Sequence, residues 1–152
     1  MTVQTMVLAT RQHEICCGHR VVGHENKCRA LHGHNYMFTL KCQAPALDEV
    51  GRVIDFSVIK STLCEWLERN WDHKFLAWEE DEEMRLIVNA PIPGNAWALL
   101  RESIVWVPFN PTAENIGTHL LEEVAPFVLP SDVRLVWVEV RETGKCAAEV
   151  YA

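Results

Sequence analysis

A chain of 152 residues, 49% of them apolar, has the size of one domain with a sizeable core, and residues 1–152 are read as one domain. Its formal charge is −7, with 14 basic against 21 acidic side chains, which argues against non-specific binding to nucleic acid or a membrane surface but leaves room for an anionic small substrate in a locally basic pocket. No apolar run approaches the roughly 20 residues a membrane helix needs, and residues 1–11 lack a basic stretch followed by an apolar one, so a cytoplasmic protein is expected. The six cysteines include no CxxC pair, which disfavours a cysteine-based zinc knuckle and suits buried thiols with one reactive exception.

The first β-leaning segment covers 6–22, weakened by Gly18. A clearer alternation follows over 32–42, where His32, His34, Tyr36, Phe38 and Leu40 share one face. The stretch 43–51, with Pro45 and Asp48, reads as a loop. Asp55 is a candidate N-cap for a helix whose apolar face is Phe56, Ile59, Leu63, Trp66 and Leu67 and whose pattern stops near Asn70. The acidic run 79–83 reads as a solvated face, Pro91, Pro93 and Gly94 break what precedes them, and 104–107 reads as a short strand. Pro111 and Thr112 open a second helix with Glu114 in its first turn, and this helix ends around Pro126. Alternating segments at 133–140 and 146–151, joined by a hairpin turn at 142–145, complete the chain. The order ββααββ predicts an α+β fold: an antiparallel sheet with two helices on one face. Four strands leave two open edges, and joining those edges between copies into a barrel implies an oligomer.

His32 and His34 flank Gly33 on one strand face and can converge on one ion; zinc accepts imidazole nitrogen, and catalytic sites often use three protein ligands and an open position. His19 on the neighbouring strand is the natural third ligand, with His13 and His24 competing on spacing alone. Cys28 lies four residues before His32, and a thiol near a divalent cation becomes a base or nucleophile near neutral pH. In Asp72-His73 an aspartate can fix the tautomer of a proton-shuttling histidine, and Glu142 at a strand end can accept paired N–H bonds from an amino-heterocycle. Each signal taken alone also has an ordinary structural reading: an incidental histidine pair, a buried thiol, a surface Asp-His, a turn carboxylate.

Order and spacing are more specific. Cys28-(x)3-His32-Gly33-His34-Asn35-Tyr36, then Val53-Ile54-Asp55-Phe56, Asp72-His73, Asn110-Pro111-Thr112-Ala113-Glu114-Asn115 and Arg141-Glu142-Thr143 resemble the 6-pyruvoyltetrahydropterin synthase family from about His19 to Tyr151. The three-residue gap between Cys28 and His32 is similar to that of its 6-carboxytetrahydropterin branch, which serves queuosine and deazapurine biosynthesis. The resemblance implies the T-fold, zinc on His19, His32 and His34, catalysis by Cys28, Asp72 and His73, and a pterin-anchoring carboxylate at Glu142, with Thr112 and Glu114 near the pocket. It further implies 7,8-dihydroneopterin triphosphate as substrate and a homohexamer of two trimers with sites between subunits. Rival readings are a 6-pyruvoyltetrahydropterin synthase, which eliminates triphosphate only, and a non-catalytic pterin- or purine-binding T-fold protein; the latter predicts loss of Cys28, Asp72 or His73, and all three are present.

Two features depart from the family pattern. The run before His19 is Ile15-Cys16-Cys17-Gly18, whose cysteines are read as buried small hydrophobes. The 77–109 region is long, with 33 residues between Leu76 and Asn110, and its Trp78, Trp97 and Trp106 are read as packing residues.

Overall fold

The computed structural model describes residues 5–94 and 96–152; residues 1–4, part of the N-terminal stretch read above for an export signal, and Asn95 lie outside the described residues. Six strands form one sheet in the order β4-β3-β1-β2-β5-β6. β1 (Ala9–His19) and β2 (His32–Gln43) pair antiparallel along their whole length, with Ala9 opposite Cys42 and His19 opposite His32. β5 (Arg134–Thr143) continues the antiparallel ladder on β2, and β6 (Cys146–Tyr151) pairs with β5 across the expected tight turn.

The four antiparallel strands match the sequence reading, but the sheet is larger and mixed. β3 (Phe75–Trp78) joins β1 in parallel at Gly18 and His19 only, and β4 (Ile104–Val107) runs parallel to β3. A four-residue strand whose partners are remote in sequence has no alternation of its own to betray it.

Helix α1 covers 56–70. Asp55 caps it by accepting the Ser57 amide at 2.8 Å, a contact of about 1 kcal/mol. Its middle, Lys60–Cys64, is a π-helical turn between α-helical ends. Helix α4 covers 113–128, is capped by the Thr112 hydroxyl on the Asn115 amide at 3.2 Å, and carries a second π turn at Leu120–Val124. Pro126 therefore does not end it; the chain makes one more turn, Ala125–Val128.

Both long helices lie on one sheet face. Ile59, Leu63, Leu67, Ile116, Leu120 and Val124 meet Ile15, Tyr36, Phe38, Leu40, Val138 and Val140 in a continuous core. Each such fully buried aliphatic or aromatic side chain contributes about 1.5–3 kcal/mol. Gly117 sits where α4 touches the sheet; a Cβ there would stand 2.7 Å from Val150 Cγ2.

The 77–109 region folds as β3, helix α2 (Glu82–Asn89), helix α3 (Ala96–Glu102) and β4. Its tryptophans pack: Trp97 Nε1 donates to the Val88 carbonyl at 3.1 Å, and the Arg85 guanidinium covers Trp106. The acidic run is not uniformly solvated. Glu79, Glu80, Glu82 and Glu83 are exposed, but Asp81 is 1% exposed, caps α2 through the Met84 amide and is paired with Arg20. Its partner lies 61 residues upstream, beyond the reach of any local pattern. Of the paired cysteines, Cys17 is buried as expected, whereas Cys16 is exposed on the other face.

Candidate metal centre and its surroundings

The two-residue period of β-strands and the β1–β2 register together assemble the site. His32 and His34 point to the helix face of β2; His19 lies opposite His32, and Cys17 opposite His34. The three imidazoles stand with ring centroids 4.5, 5.0 and 5.2 Å apart, and one ligand atom from each lies within 4.8 Å of the others. His19 Nδ1 donates to the Pro111 carbonyl at 2.6 Å, and His32 Nδ1 to the Ala30 carbonyl at 2.7 Å. These bonds fix the tautomer, so each Nε2 carries a free lone pair, an arrangement typical of metal-ligating histidines. Nε2 of His19 and of His34 are buried with no hydrogen-bond partner among the described residues.

Burial lowers the pKa of His19 to about 4, against the Pro111 bond and with help from the neighbouring imidazoles; burial also lowers that of His34. Both are therefore neutral at physiological pH, the form that binds a metal. Orphaned buried nitrogens in a three-imidazole set fit a divalent transition metal, and imidazole alone does not choose among zinc, copper, iron and nickel. Of the competing histidines, His13 instead contacts Glu68 at 3.2 Å, and His24 Nδ1 accepts the Asn26 amide in the β1–β2 loop.

Glu142 enters from β5. The β5–β6 register shifts between Arg141 and Thr143, leaving Glu142 as the extra residue of a bulge, a device that re-aims a side chain beside a site. Its carboxylate oxygens lie 3.8 Å from His19 Nε2 and 4.0 Å from His34 Nε2, and the Tyr36 hydroxyl donates to it at 3.4 Å. Burial first, and with it the neighbouring Glu142 carboxylate, drives the Tyr36 pKa far upward, so its hydroxyl stays protonated. Tyr36 is a member of the site that sequence reasoning left in the motif without a role; its shared parity with His32 and His34 was the available signal.

Cys28 sits half-buried on a single 3-10 turn, Lys27–Arg29, in the loop between β1 and β2. Two clamps hold this loop. The Val21 amide donates to the Cys28 carbonyl at 2.8 Å. The Asn110 side chain grips the Val22 backbone on both sides, donating to its carbonyl at 2.9 Å and accepting its amide at 3.0 Å. Asn110 thus works one residue before the carbonyl that orients His19 and two before the cap of α4. Thr112 is half-buried in that cap, and Glu114 lies exposed in the first turn.

Asp72 and His73 form a tight pair, but elsewhere. The His73 ring donates to Asp72 at 2.8 Å, Asp72 accepts the Cys16 amide at 2.9 Å, and the His73 amide donates to the Cys16 carbonyl at 2.7 Å. Burial works upward on the Asp72 carboxyl, yet the hydrogen bonds from Cys16 and His73 hold it below the ordinary range. His73 adopts a left-handed φ of 56°, a conformation that costs a histidine on the order of 1 kcal/mol, and its side chain is 81% exposed. Since Cys16 is three residues from His19, the pair sits about 10 Å along β1 from the imidazoles, and none of its hydrogen bonds among the described residues reaches them or Cys28.

The 6-pyruvoyl tetrahydropterin synthase family matches residues 9–152. A 6-carboxy-5,6,7,8-tetrahydropterin synthase from Rickettsia felis is 37% identical over 147 residues, spanning 95% of this chain and all of the relative. A protein from Halobacterium salinarum described as a probable synthase of the same name is 32% identical, over 91% of this chain and 82% of its own. Among solved structures, an uncharacterized protein from Wolinella succinogenes superposes with a TM-score of 0.83 at 26% identity, covering 97% of this chain and 99% of its own. The 6-pyruvoyl tetrahydropterin synthase of Plasmodium falciparum superposes at 0.68 with 20% identity, covering 98% and 99%, a likeness of fold alone. The six-stranded curled sheet with helices on one face is thus the α+β T-fold, and the chain belongs to the 6-pyruvoyl tetrahydropterin synthase family.

Proposed function

We propose that the protein is a zinc-dependent carbon–carbon lyase, a 6-carboxytetrahydropterin synthase that converts 7,8-dihydroneopterin triphosphate and water to 6-carboxy-5,6,7,8-tetrahydropterin, acetaldehyde and triphosphate. The observation that carries this reading is the convergence of His19, His32 and His34, with the buried Nε2 atoms of His19 and His34 unpartnered among the described residues, beside a carboxylate and in a chain similar over its length to relatives bearing that name. The reaction balances internally: the ring gains the two electrons that the three side-chain carbons together lose on becoming a carboxylate and acetaldehyde.

His19, His32 and His34 would hold the zinc, which when bound supplies Lewis-acid polarisation of the substrate's side-chain hydroxyls. Cys28 takes and returns protons at the side-chain carbons. Glu142, its carboxylate steadied by Tyr36, accepts hydrogen bonds from substrate N–H and O–H groups, and Thr112 with Glu114 borders the pterin ring. The Asp72–His73 pair, exposed and away from its own chain's imidazoles, suits a second proton-transfer pair offered to a neighbouring copy's site, as a hexamer of two trimers would allow. Queuosine or another 7-deazapurine route in the cytoplasm is the setting this product fits; among the described residues no helix is long and apolar enough to cross a membrane.

The test is incubation of zinc-loaded protein with dihydroneopterin triphosphate and identification of the pterin by mass spectrometry. A 6-carboxytetrahydropterin with equimolar acetaldehyde is expected. A 6-pyruvoyl product would move the protein to the sister activity with the same residues, and no turnover with zinc bound would remove both.

A further inference from the structure

The half-buried ion pair between Arg20 and Asp81 has no part in the proposed chemistry, yet it joins two elements that matter to it. Arg20 follows the ligand His19 directly and begins the loop that carries Cys28. Its Nε donates to Asp81 at 2.7 Å and its second nitrogen at 3.2 Å, a two-pronged grip on a carboxylate that is 1% exposed. The same carboxylate accepts the Met84 amide at 3.1 Å, and the Asp81 amide donates to the Trp78 carbonyl at 3.0 Å, so Asp81 is held rigidly between β3 and α2. Glu83 adds a second contact to Arg20 at 2.6 Å but is largely exposed and contributes little.

Taking the Asp81 carboxylate out of water offsets much of what the pair gains, so its net stabilisation is small; what it fixes is geometry, since Arg meets a carboxylate in one planar arrangement. Here that geometry connects the 77–109 segment to the root of the loop. On the far side, Asn110 grips Val22, and the Val21 amide reaches the Cys28 carbonyl, so the loop base is held from two walls. The Asp81 side is the wall contributed by the 77–109 segment.

We infer that Arg20 and Asp81 are positioning residues: the ion pair is a strut through which the 77–109 segment holds the thiol of Cys28 in place for proton transfer. This rests on the reading of Cys28 as the proton-carrying thiol. Displacement of a reacting group by an ångström can cost around a hundredfold in rate, so a loosened strut acts on turnover without acting on substrate affinity.

The experiment uses the full-length, zinc-loaded protein with Asp81→Asn, which keeps an oxygen to cap α2 but removes the charge. With dihydroneopterin triphosphate, kcat is expected to fall about tenfold or more while KM stays within about twofold and zinc content is unchanged. Iodoacetamide labelling resolved by peptide mass spectrometry is expected to accelerate several-fold at Cys28, with exposed Cys16 and Cys146 as unchanged internal references. Asp81→Glu, which restores the charge, recovers part of kcat. Arg20→Lys, which keeps charge but loses the fork, gives the same pattern in weaker form and serves if Asp81→Asn does not fold. Wild-type kcat and wild-type Cys28 labelling in the variants would overturn the strut, as would zinc loss in step with kcat. Cys28→Ala separates the two levels: an active Cys28→Ala protein removes the parent reading, whereas an inert one beside an unaffected Asp81→Asn protein removes the strut alone.

Discussion

Acid should destabilise the metal-free protein through one imidazole more than any other. His19 is 1% exposed, and its pKa falls from 6.5 to about 4 on folding. Above pH 6.5 the ring is neutral in both states and has no effect on the equilibrium. As the pH falls below 6.5 the unfolded chain takes up a proton that the folded chain refuses, so stability is lost progressively until about pH 4. At 1.36 kcal/mol for each tenfold change in proton affinity, the full loss is roughly 3 kcal/mol, and about 2 kcal/mol is already gone at pH 5. For a domain stable by 5–15 kcal/mol this moves a urea midpoint by about 1 M. The assay is urea unfolding of chelator-treated protein from pH 7.5 to 4.5 at fixed chain concentration, alongside His19→Asn, whose amide can still donate to the Pro111 carbonyl but does not titrate. Other groups titrate in both proteins, so the measured quantity is the difference in slope. Over that range the variant should be flatter by about 2.5 kcal/mol; identical slopes would refute the buried, neutral His19 on which the metal-centre reading depends.

Three further outcomes are expected. Gly117→Ala should lower the thermal midpoint by an amount corresponding to about 1 kcal/mol, because overpacking against Val150 and Val140 outweighs the gain in helix propensity; a raised midpoint would contradict the contact. Asn110→Ala removes both bonds to Val22 and should destabilise by about 2 kcal/mol while reducing turnover, measured by chemical unfolding and steady-state kinetics. Chelation should abolish activity and lower the melting temperature, with zinc restoring both; a midpoint indifferent to zinc would count against His19, His32 and His34 as its ligands.

What the sequence disclosed was what local periodicity encodes. Parity along 32–42 placed His32, His34 and Tyr36 on one face, and the cap chemistry of Asp55 and Thr112 marked the starts of both long helices. The choice of His19 over His13 and His24 depended on register, which a strand's own residues do not reveal; the resemblance supplied it and the pairing of His19 with His32 carries it out. Parallel strand β3 escaped notice because it exists through its partners β1 and β4 rather than through a pattern of its own. Asp81 escaped for a related reason: among four exposed acidic neighbours nothing local distinguishes the one residue that a distant arginine draws inside. The π turns, which carry α4 past Pro126, depend on packing along the whole helix and have no short signature.

Residues 110 to 112 perform three unrelated tasks in succession: an amide that clasps the thiol loop, a carbonyl that aims an imidazole, and a hydroxyl that starts a helix. Because backbone length allows no slack between adjacent residues, adding or deleting one amino acid here would disengage at least two of the three at once. The surface turns of the 77–109 region are free of that constraint and can lengthen or shorten at small entropic cost. Change in this lineage should therefore accumulate as insertions and deletions around α2 and α3, while the tripeptide before α4 varies only in ways that keep its spacing, making it the dependable ruler for aligning remote relatives.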